Sequence, residues 1–311
     1  MKWLRQGLQG TVPHAGSVAT IGNFDGVHRG HQALLALLRE KADQLRLPLF
    51  VILFEPQPGE YFKKAEAPAR LYRLREKLRA LRQCGVDGVL CLKFDARLSQ
   101  MTAQAFAHDI IFTQLNVQYL LLGDDFRFGR ARRGDVTFLR ELAAIQGVAV
   151  ETCPEFCINH ARVSSTQIRH ALYLGDLNLA ESLLGRKYSL CGRVQHGQGL
   201  GRKWGVPTAN LSLKPGALPC SGVFCVQVAR VGKPLLTGVA NMGNRPTVDG
   251  RKNVLEVHLF DFDESLYGEM IEVIYLQKLR DEIKFSSVDA LLLQIHADVA
   301  QAKVFFNNLI G

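Results

Sequence analysis

The stretch Gly22-Asn23-Phe24-Asp25-Gly26-Val27-His28-Arg29-Gly30-His31 separates two segments with different hydrophobic patterns. Residues 17–21, before it, form a short apolar run that predicts a strand. After it, Leu34, Leu38 and Ala42 recur at helical spacing. The stretch is therefore a strand-to-helix turn. Such turns lie at the carboxyl edge of a parallel sheet, where open α/β sheets bind their ligands.

Two histidines in this turn suggest an anion site. His28 and His31 are three residues apart, so on the first helical turn they share a face and can reach one polyphosphate. Unpaired backbone N–H groups and the helix dipole favour an anion there, and Gly22, Gly26 and Gly30 let the backbone approach a ligand closely. A lone histidine at a helix start is usually a cap or a surface residue. The pattern G-x-F-D-x-x-H-x-G-H resembles the nucleotidyltransferase signature, which implies that the histidines hold ATP phosphates.

Composition is typical of a soluble globular protein and makes two domains the expectation. Of the residues, 47% are hydrophobic and 22% are charged. A chain of 311 residues is too long to fold around one small core. The longest apolar run, residues 47–54, contains Pro48 and is far shorter than a membrane span. No apolar segment of a signal peptide follows the first basic residues, so we expect a cytoplasmic protein with no membrane partner.

The formal net charge is +9, and the seven cysteines form no paired framework. Basic residues concentrate only between Arg70 and Arg82 at helical spacing, which is typical of a solvated helix face. We therefore expect no nucleic-acid partner, because anionic small molecules would use the charge equally well. Cys153 and Cys157 lack the further ligands of a zinc site, so we expect reduced cysteines that pack in the core.

The first half of the chain alternates strands and helices, which predicts a doubly wound parallel sheet. Strands are expected at 17–21, 49–54, 88–92, 117–122 and 148–152, with helices at about 67–83 and 102–115. Pro56 and Pro58 predict a stiff loop without a helix after the second strand. An amphipathic helix at 177–184 ends this domain, which we place at residues 1–184.

Two further loops of this half carry polar residues next to predicted strands. Gly123-Asp124-Asp125-Phe126-Arg127-Phe128-Gly129 suits a planar ring and phosphates, although a polar loop with one buried phenylalanine is an equal alternative. At 163–169, Ser164 or Ser165 can cap the next helix, and hydroxyl groups, backbone N–H groups and Arg169 can bind phosphate there. An ordinary helix cap remains the alternative for this segment.

These turns together resemble a known module. G-x-F-D-G-V-H-x-G-H, F-x-P-x-P, G-D-D-F-R-F-G and S-S-T-x-I-R occur in the order found in the FMN adenylyltransferase module of bacterial bifunctional riboflavin kinase/FAD synthetases. The resemblance implies a Rossmann-like nucleotidyltransferase domain with His28 and His31 as catalytic residues. The residues that it implies for ATP and its phosphates are Gly22, Asn23, Phe24, Asp25, Gly30, Ser164, Ser165, Thr166 and Arg169. Those that it implies for flavin are Pro56, Pro58, Asp124, Asp125 and Phe126. Gln167 stands where arginine is common, which leaves one fewer cation for phosphate.

From about Gly185 the pattern changes to short strands and turns, which predicts a separate all-β domain at residues 185–311. Strands are expected at 222–228, 236–240, 254–260 and 269–276, with a turn at 241–247 and a C-terminal helix that begins at Ser286 or Ser287. The glycine-rich segment at 192–211 is either a plain hairpin loop or a flexible cover for phosphates. Glu256 shares a strand face with His258, and a carboxylate in such a place is usually just exposed.

The second half resembles the riboflavin kinase domain of the same family. G-x-P-T-A-N, G-V-F, N-x-G-x-R-P-T, E-V-H-L-F-D-F, L-Y-G and L-R-D-E-x-K-F occur in the expected order. This implies a six-stranded antiparallel barrel with a C-terminal helix, Glu256 as general base, and Thr208 and Asn210 as metal ligands. The residues implied for ATP phosphates are Gly197, Gly199, Gly201, Lys203, Thr208 and Asn210, and those implied for flavin are Arg280 and Glu282. Phe224 and Ser265 replace the tyrosine and aspartate that are common at their positions.

The resemblance implies two ATP-dependent reactions with Mg²⁺ as the cofactor. Riboflavin is phosphorylated to FMN, and FMN is adenylylated to FAD with release of pyrophosphate, so the small-molecule partners are riboflavin, FMN, FAD and ATP. One alternative is nucleotidyl transfer to another small phosphate ester. The other is a flavin- or RNA-binding protein without catalysis. We expect a monomer or a weak homo-oligomer.

Overall fold

The chain folds into two compact units, one of α/β type and one built on a barrel. The computed structural model describes residues 1–5, 15–158, 161–197, 199, 201, 204–213, 217–247 and 250–310. The first unit comprises Met1–Pro68 and Tyr72–Ser165, and the second comprises Ala69–Leu71 and Thr166–Gly311. The domains 1–184 and 185–311 stay a prediction, because grouping by contact does not establish which residues fold on their own.

A six-stranded parallel sheet forms the centre of the first unit. The strands of this unit are β1 Lys2–Arg5, β2 Ser17–Ile21, β3 Leu49–Glu55, β4 Gly88–Lys93, β5 Val117–Gly123, β6 Arg127–Phe128, β7 Gly134–Asp135, β8 Ala149–Cys153, β9 Cys157–Ile158 and β10 Ala161–Arg162. The sheet has the order β1-β4-β3-β2-β5-β8, and the other four strands form two small hairpins. The chain passes from β2 to β3 on one side and later to β5 on the other. The topological switch point therefore lies between the carboxyl ends of β2 and β5.

Helices connect these strands, as the alternating pattern predicts. They are α1 Arg29–Leu45, α2 Pro58–Lys63, α3 Leu74–Gln83, α4 Ala96–Ser99, α5 Ala103–Phe106 and α6 Val136–Ile145, with a π-helical segment at Ala107–Gln114. β2 is buried along its whole length, as expected for a strand of a parallel sheet that is covered on both faces. The doubly wound sheet is confirmed, and the edge strand β1 is an addition that the sequence pattern did not predict.

Two segments of the first unit differ from the sequence-based expectation. α2 begins at Pro58, where no helix was predicted, because proline is favoured in the first helical turn and its missing N–H costs nothing there. The helix expected from about residue 67 begins only at Leu74. The carbonyl groups of Ala69 and Leu71 instead accept hydrogen bonds from Arg169 Nε at 2.5 Å and Tyr188 Oη at 3.3 Å. This short segment therefore groups with the second unit.

The second unit contains a closed barrel of six strands, which confirms the predicted fold. α7 Ser165–Leu174 and α8 Leu177–Leu184 precede it in the chain. The strands are β11 Ser189–Gln195, β12 Ala209–Ser212, β13 Gly222–Ala229, β14 Leu236–Thr247, β15 Gly250–Leu259 and β16 Met270–Arg280. They close in the order β11-β12-β15-β14-β13-β16, and every neighbouring pair is antiparallel. The predicted turn at 241–247 is wrong, since this segment continues β14 and pairs with residues 250–256 of β15.

Alternation along β15 determines which side chains face the barrel interior. Leu255 and Val257 are fully buried, whereas Glu256 is only half-buried. Phe224 and Tyr275 are also buried, and their rings pack edge to face with centroids 5.1 Å apart. Because neighbouring residues of a strand point to opposite faces, Glu256 lies on the outer wall of the barrel.

The C-terminal helix, α9 Val288–Ile310, packs against that outer wall. Its Ala302 and Phe306 join a buried cluster with Val223 and Val239 of the barrel. Ser287 Oγ accepts the N–H of Ala290 at 3.1 Å, which confirms the predicted start of the helix. Across the described ranges, no helix combines the length and the apolar character needed to cross a lipid bilayer.

Candidate active sites

The turn after β2 lies at the switch point of the parallel sheet. Phe24, Gly26 and Val27 have positive φ angles of 46°, 79° and 40°. Glycine accepts such angles readily, whereas phenylalanine and valine are strained there. Asp25 is only 2% exposed, and its Oδ1 accepts the N–H of Tyr72 at 3.1 Å. The carboxylate of Asp25 therefore fixes the turn to the segment that leads into α3.

The two histidines form a stacked pair at the start of α1. Their ring centroids are 3.7 Å apart, and His28 is 7% exposed while His31 is half-buried. His28 Nδ1 accepts the N–H of His31 at 3.4 Å, so His28 is the N-cap of the helix. Because Nδ1 must be unprotonated to accept, the neutral ring carries its proton on Nε2. His28 is thus a helix cap through Nδ1, and its role in holding phosphate stays a prediction.

The loop after β5 begins at the same edge of the sheet. Asp124 and Asp125 are exposed, and Phe126 is half-buried and stacks on Phe128 with centroids 5.4 Å apart. Arg162 Nη2 donates to Asp125 Oδ2 at 3.1 Å, and this hydrogen bond raises the pKa of the Arg162 guanidinium. The carboxylate of Asp125 is thereby paired with a cation that the sequence motifs did not include.

The nearby cysteines only partly follow the prediction. Cys153 is half-buried, and burial together with the charge of Asp124 raises the pKa of its thiol. Cys157 is exposed, so the prediction that it packs in the core is wrong. It lies in the two-residue strand β9 of a small surface hairpin, where the apolar pattern is too short to indicate burial.

The other residues that the sequence predicts for adenylyl transfer lie after β3 and at the start of α7. Pro56 is exposed and Pro58 half-buried after β3, the strand next to β2. Ser165 Oγ donates to the carbonyl of Asp25 at 2.9 Å, so this hydroxyl holds the histidine turn. Ser164 is half-buried and Thr166 exposed at the start of α7, and Arg169 donates to the backbone of Ala69.

In the second unit, one row of residues crosses five strands of the barrel. Asn210 of β12 pairs with Glu256 of β15, and Glu256 pairs with Asn241 of β14. Asn241 pairs with Val223 of β13, which pairs with Arg280 of β16. Residues directly opposite one another in antiparallel strands share a face. At about 4.8 Å per strand, the carboxylate and the arginine are about 14 Å apart along the wall.

All five residues of this row line a cavity of about 560 Å³ on the outer wall of the barrel. Its other lining residues come from the glycine-rich segment, β14, β15, the segment after β16 and α9. The predicted residues among the lining are Gly199, Gly201, Thr208, Asn210, Glu256, Arg280 and Glu282. The cavity thus brings together most of the kinase-type residues that the sequence scattered over more than eighty positions.

The glycine-rich segment packs against the segment that carries Thr208. A Cβ on Gly201 would lie 2.5 Å from the carbonyl of Val206 and 3.4 Å from Thr208 Oγ1, and a Cβ on Gly197 would lie 2.5 Å from Asn210 Nδ2. Glycine is therefore required at position 201, where the close atom is backbone, whereas at position 197 the Asn210 side chain would have to move. The predicted phosphate ligand Lys203 lies outside the described residues.

Two contacts hold the cavity walls. Arg280 donates through Nε and Nη2 to the carboxylate of Asp298 in α9, with distances of 2.7 to 3.1 Å. Asp298 is 4% exposed, so this pair is largely buried on the side of α9. On the opposite wall, His258 Nδ1 donates to the carbonyl of Pro207 at 2.8 Å. Arg280 thus anchors α9 to the barrel, and its role in flavin binding stays a prediction.

The cavity offers oxygen ligands that fit Mg²⁺ carried by ATP. Thr208 Oγ1 and Asn210 Oδ1 are hard donors, and Asn210 Nδ2 is occupied by the carbonyl of Thr208 at 3.2 Å. Mg²⁺ is commonly held by one or two protein oxygens together with substrate phosphates and water. Within the part of the chain that the structure describes, no group of three or more His, Cys, Asp or Glu is placed to hold a metal ion. The donor set therefore fits a metal shared with the nucleotide.

A parallel α/β sheet followed in the chain by a closed antiparallel barrel is the fold of a two-domain transferase. Residues 11–167 match the family described as FAD synthetase, and residues 184–306 match that described as riboflavin kinase. These families use ATP. The chain belongs to the family of bifunctional riboflavin kinase/FMN adenylyltransferases.

Individual relatives are similar to this chain over nearly its whole length. Proteins named bifunctional riboflavin kinase/FMN adenylyltransferase from Escherichia coli K12 and Pseudomonas fluorescens are each 50% identical, over 295 and 302 residues. The alignments cover 95% of this chain and 94% of the first protein, and 96% of each chain for the second. A crystal structure described as a macrolide-efflux protein from Streptococcus pneumoniae is similar with a TM-score of 0.78 at 31% identity, over 96% of this chain and 97% of that one.

Several residues of the two sites escaped the sequence reasoning. Asn241 was interpreted as part of a turn, although it begins the N-x-G-x-R-P-T motif that is shared with the riboflavin kinase domain. Asp298 lines the cavity from a helix without a polar motif, and Trp204 lines it from the glycine-rich segment, in which only glycine, basic and oxygen-bearing residues were singled out. Lys77 is 1% exposed and donates to the carbonyl of Asn23 at 2.6 Å, although it lies in the run read as a solvated helix face. Spacing along α3 did not reveal which of its cations turns inward.

Proposed function

We propose that this chain phosphorylates riboflavin to FMN in the barrel cavity and adenylylates FMN to FAD at the histidine turn, using one ATP in each reaction. The observation that carries the proposal is the row in which Glu256 lies between Asn210 and Asn241 on the cavity wall. A carboxylate flanked by two amides, beside a glycine-rich segment, suits the activation of a hydroxyl group next to a polyphosphate. Membership of the family supports the pairing of this site with an adenylyl-transfer site.

In the kinase reaction, Glu256 takes the proton of the ribityl hydroxyl as that oxygen attacks the γ-phosphate of ATP. General-base catalysis of this kind contributes about 10²–10⁴-fold. Asn241 orients the hydroxyl from one side of the carboxylate, and Asn210 on the other side serves the metal ion. The apolar lining from Ile283, Phe285 and Ile295 suits the flavin ring.

Thr208 and Asn210 would hold the magnesium ion of MgATP through their side-chain oxygens. When bound, Mg²⁺ neutralises charge that develops on the transferring phosphoryl group. Gly199 and Gly201 line the cavity, and the backbone N–H groups of such glycines can hold phosphate oxygens without side-chain bulk. His258 keeps the Thr208 segment in place through its bond to Pro207.

The adenylyl transfer needs no general base, because the phosphate of FMN is already an anion that can attack the α-phosphate of ATP. Its obstacle is repulsion between the two phosphates, so donors and cations carry the catalysis. His28 through Nε2–H and the first turn of α1 would stabilise the charge that develops as pyrophosphate leaves. His31 would assist from the ring stacked on His28. Asp124, Asp125 and Phe126, at the neighbouring strand end, would position the flavin or adenine.

The test is a time course with purified protein, riboflavin, ATP and Mg²⁺, in which chromatography separates riboflavin, FMN and FAD. We expect FMN first and FAD after it, with one pyrophosphate released per FAD. FMN alone would contradict the second reaction and point to the missing cation at Gln167. Binding of flavin without any product would favour a flavin-binding protein. Absence of flavin turnover with adenylylation of another phosphate ester would favour a different nucleotidyltransferase. Size-exclusion chromatography of the same sample tests the expected monomer or weak homo-oligomer.

A further inference from the structure

The histidine turn has a strained backbone that several contacts hold in place. Phe24 and Val27 are non-glycine residues in the left-handed region, with φ angles of 46° and 40°. Residues in such conformations persist only where the surrounding structure over-determines them, and they cluster at functional sites. The turn is held by Gln32 Nε2, which donates to the carbonyl of Val27 at 2.8 Å, and by the bonds of Asp25 already described.

One of these contacts is made by a buried cation. Lys77 Nζ donates to the carbonyl of Asn23 at 2.6 Å, and Lys77 is 1% exposed. The other basic residues of α3, Arg75, Arg79 and Arg82, are exposed. α3 also packs on the 3₁₀ turn Asp25–Val27. The helix therefore presents a single inward-facing lysine to the backbone just before the strained residues.

Packing alone does not account for a lysine at this position. Burying an ammonium group is costly unless its charge is used, and a methionine would fill similar space without that cost. In a site of low dielectric, a fixed positive charge beneath the turn is also weakly screened. Its field acts on a polyphosphate at the N-terminal end of α1 together with the fields of the buried carboxyl groups of Asp25 and Glu76. The lysine can therefore contribute both to the shape of the turn and to the attraction of ATP.

We propose that Lys77 is a positioning residue for adenylyl transfer, which holds the Asn23 carbonyl and places a positive charge beneath the histidine turn. This inference rests on the proposed function of the first unit. It predicts that loss of the charge weakens the use of ATP by the first site. The barrel reaction is unaffected, because Lys77 belongs to the other compact unit.

The test compares Lys77→Met, which removes the charge and the donor, with Lys77→Gln, which keeps a donor without the charge. Arg82→Met is the matched control, because it removes an exposed cation from the same helix. FAD formation from FMN and FMN formation from riboflavin are measured in the same preparations, with circular dichroism melts. For Lys77→Met we expect kcat/KM for ATP in FAD formation to fall at least tenfold, with KM for ATP at least threefold higher. KM for FMN, FMN formation and the Arg82→Met values should stay within twofold of the parent.

The rise in KM for ATP separates positioning from folding, since a reduced folded fraction lowers the apparent kcat without changing KM. If Lys77→Met does not fold, Lys77→Gln decides, and it should show the same rise in KM for ATP with a smaller loss of kcat. The inference is overturned if the folded variants form FAD with a KM for ATP within twofold of the parent. It is equally overturned if FMN formation falls as much as FAD formation. A parent protein that forms no FAD would contradict the proposed function rather than the role of Lys77.

Discussion

Replacing Arg280 by methionine removes the guanidinium from the buried carboxylate of Asp298 and keeps a long apolar side chain. Asp298 is 4% exposed and loses its three hydrogen bonds to Arg280, while the amide of Gln294 still donates to its Oδ1 at 2.9 Å. Breaking a buried ion pair by removing one partner costs about 3–5 kcal/mol. The Arg280 side chain is 21% exposed, which screens part of this interaction. We therefore expect a loss of about 3 kcal/mol in the free energy of unfolding of the second unit.

Urea denaturation followed by tryptophan fluorescence measures this loss. The chain has two tryptophans, Trp3 and Trp204, so a Trp3→Phe background leaves Trp204 as the reporter in the second unit. This separation is needed because two units need not unfold in one transition. With a slope of about 1.5 kcal/mol/M, the midpoint should fall by about 2 M.

The double variant Arg280→Met with Asp298→Leu separates the ion pair from the packing of Arg280. Replacing both charges by apolar side chains is often close to neutral. We expect its free energy of unfolding to return to within about 1 kcal/mol of the parent. An Arg280→Met variant within about 0.5 kcal/mol of the parent would refute the reasoning, as would a double variant that is less stable than either single one.

Three further predictions concern other parts of the chain. Gly30→Ala places a Cβ 3.3 Å from the ring of His28. The displaced ring should lower FAD formation about tenfold without affecting FMN formation, by chromatographic assay; FAD formation at the rate of the parent would contradict this. The N–H of Phe138 lowers the pKa of Asp135, so the stabilisation from the ionised carboxylate is present above the ordinary carboxyl pKa and is lost as pH falls through the lowered native pKa. Asp135→Asn should therefore melt below the parent at pH 7 and approach the parent as the solution is acidified, by circular dichroism melts at a series of pH values; a gap that stays constant with pH would contradict this. Burial raises the pKa of Cys220 to about 12, so iodoacetamide at pH 8 should label exposed Cys157 in the folded protein and leave Cys220 unlabelled, by mass spectrometry.

Most of the architecture was predictable, because local patterns and global fold agree. Continuous apolar runs between helices predicted the parallel sheet, and alternation along residues 254–260 predicted which face of that strand carries Glu256. The errors arose where tertiary contacts override local chemistry. The polar residues at 241–247 resemble a turn but continue a strand, because their backbone groups pair with β15. Residues 69–71 fit a helical pattern but use their carbonyl groups as acceptors for Arg169 and Tyr188.

The candidate sites were predictable in their motifs but not in their supporting contacts. The glycines and histidines of the turn after β2 predict close backbone approach and phosphate binding, so the turn could be proposed as a site from its own residues. Lys77 and Asp298 lie far in the sequence from the motifs that they support. Lys77 contacts the carbonyl of Asn23, and Asp298 contacts the guanidinium of Arg280. The sequence of a helix with cations on several faces does not show which cation is buried, because that depends on which face of the helix packs against the rest of the protein.

The most direct test of two separate sites measures both reactions in the same preparation of two variants, His28→Ala and Glu256→Ala. We expect His28→Ala to lower FAD formation from FMN by at least about 10²-fold and to leave FMN formation unchanged. We expect Glu256→Ala to lower FMN formation by about 10²–10⁴-fold and to leave FAD formation from supplied FMN unchanged. If either substitution abolishes both reactions in folded protein, the assignment of the two reactions to separate sites is contradicted.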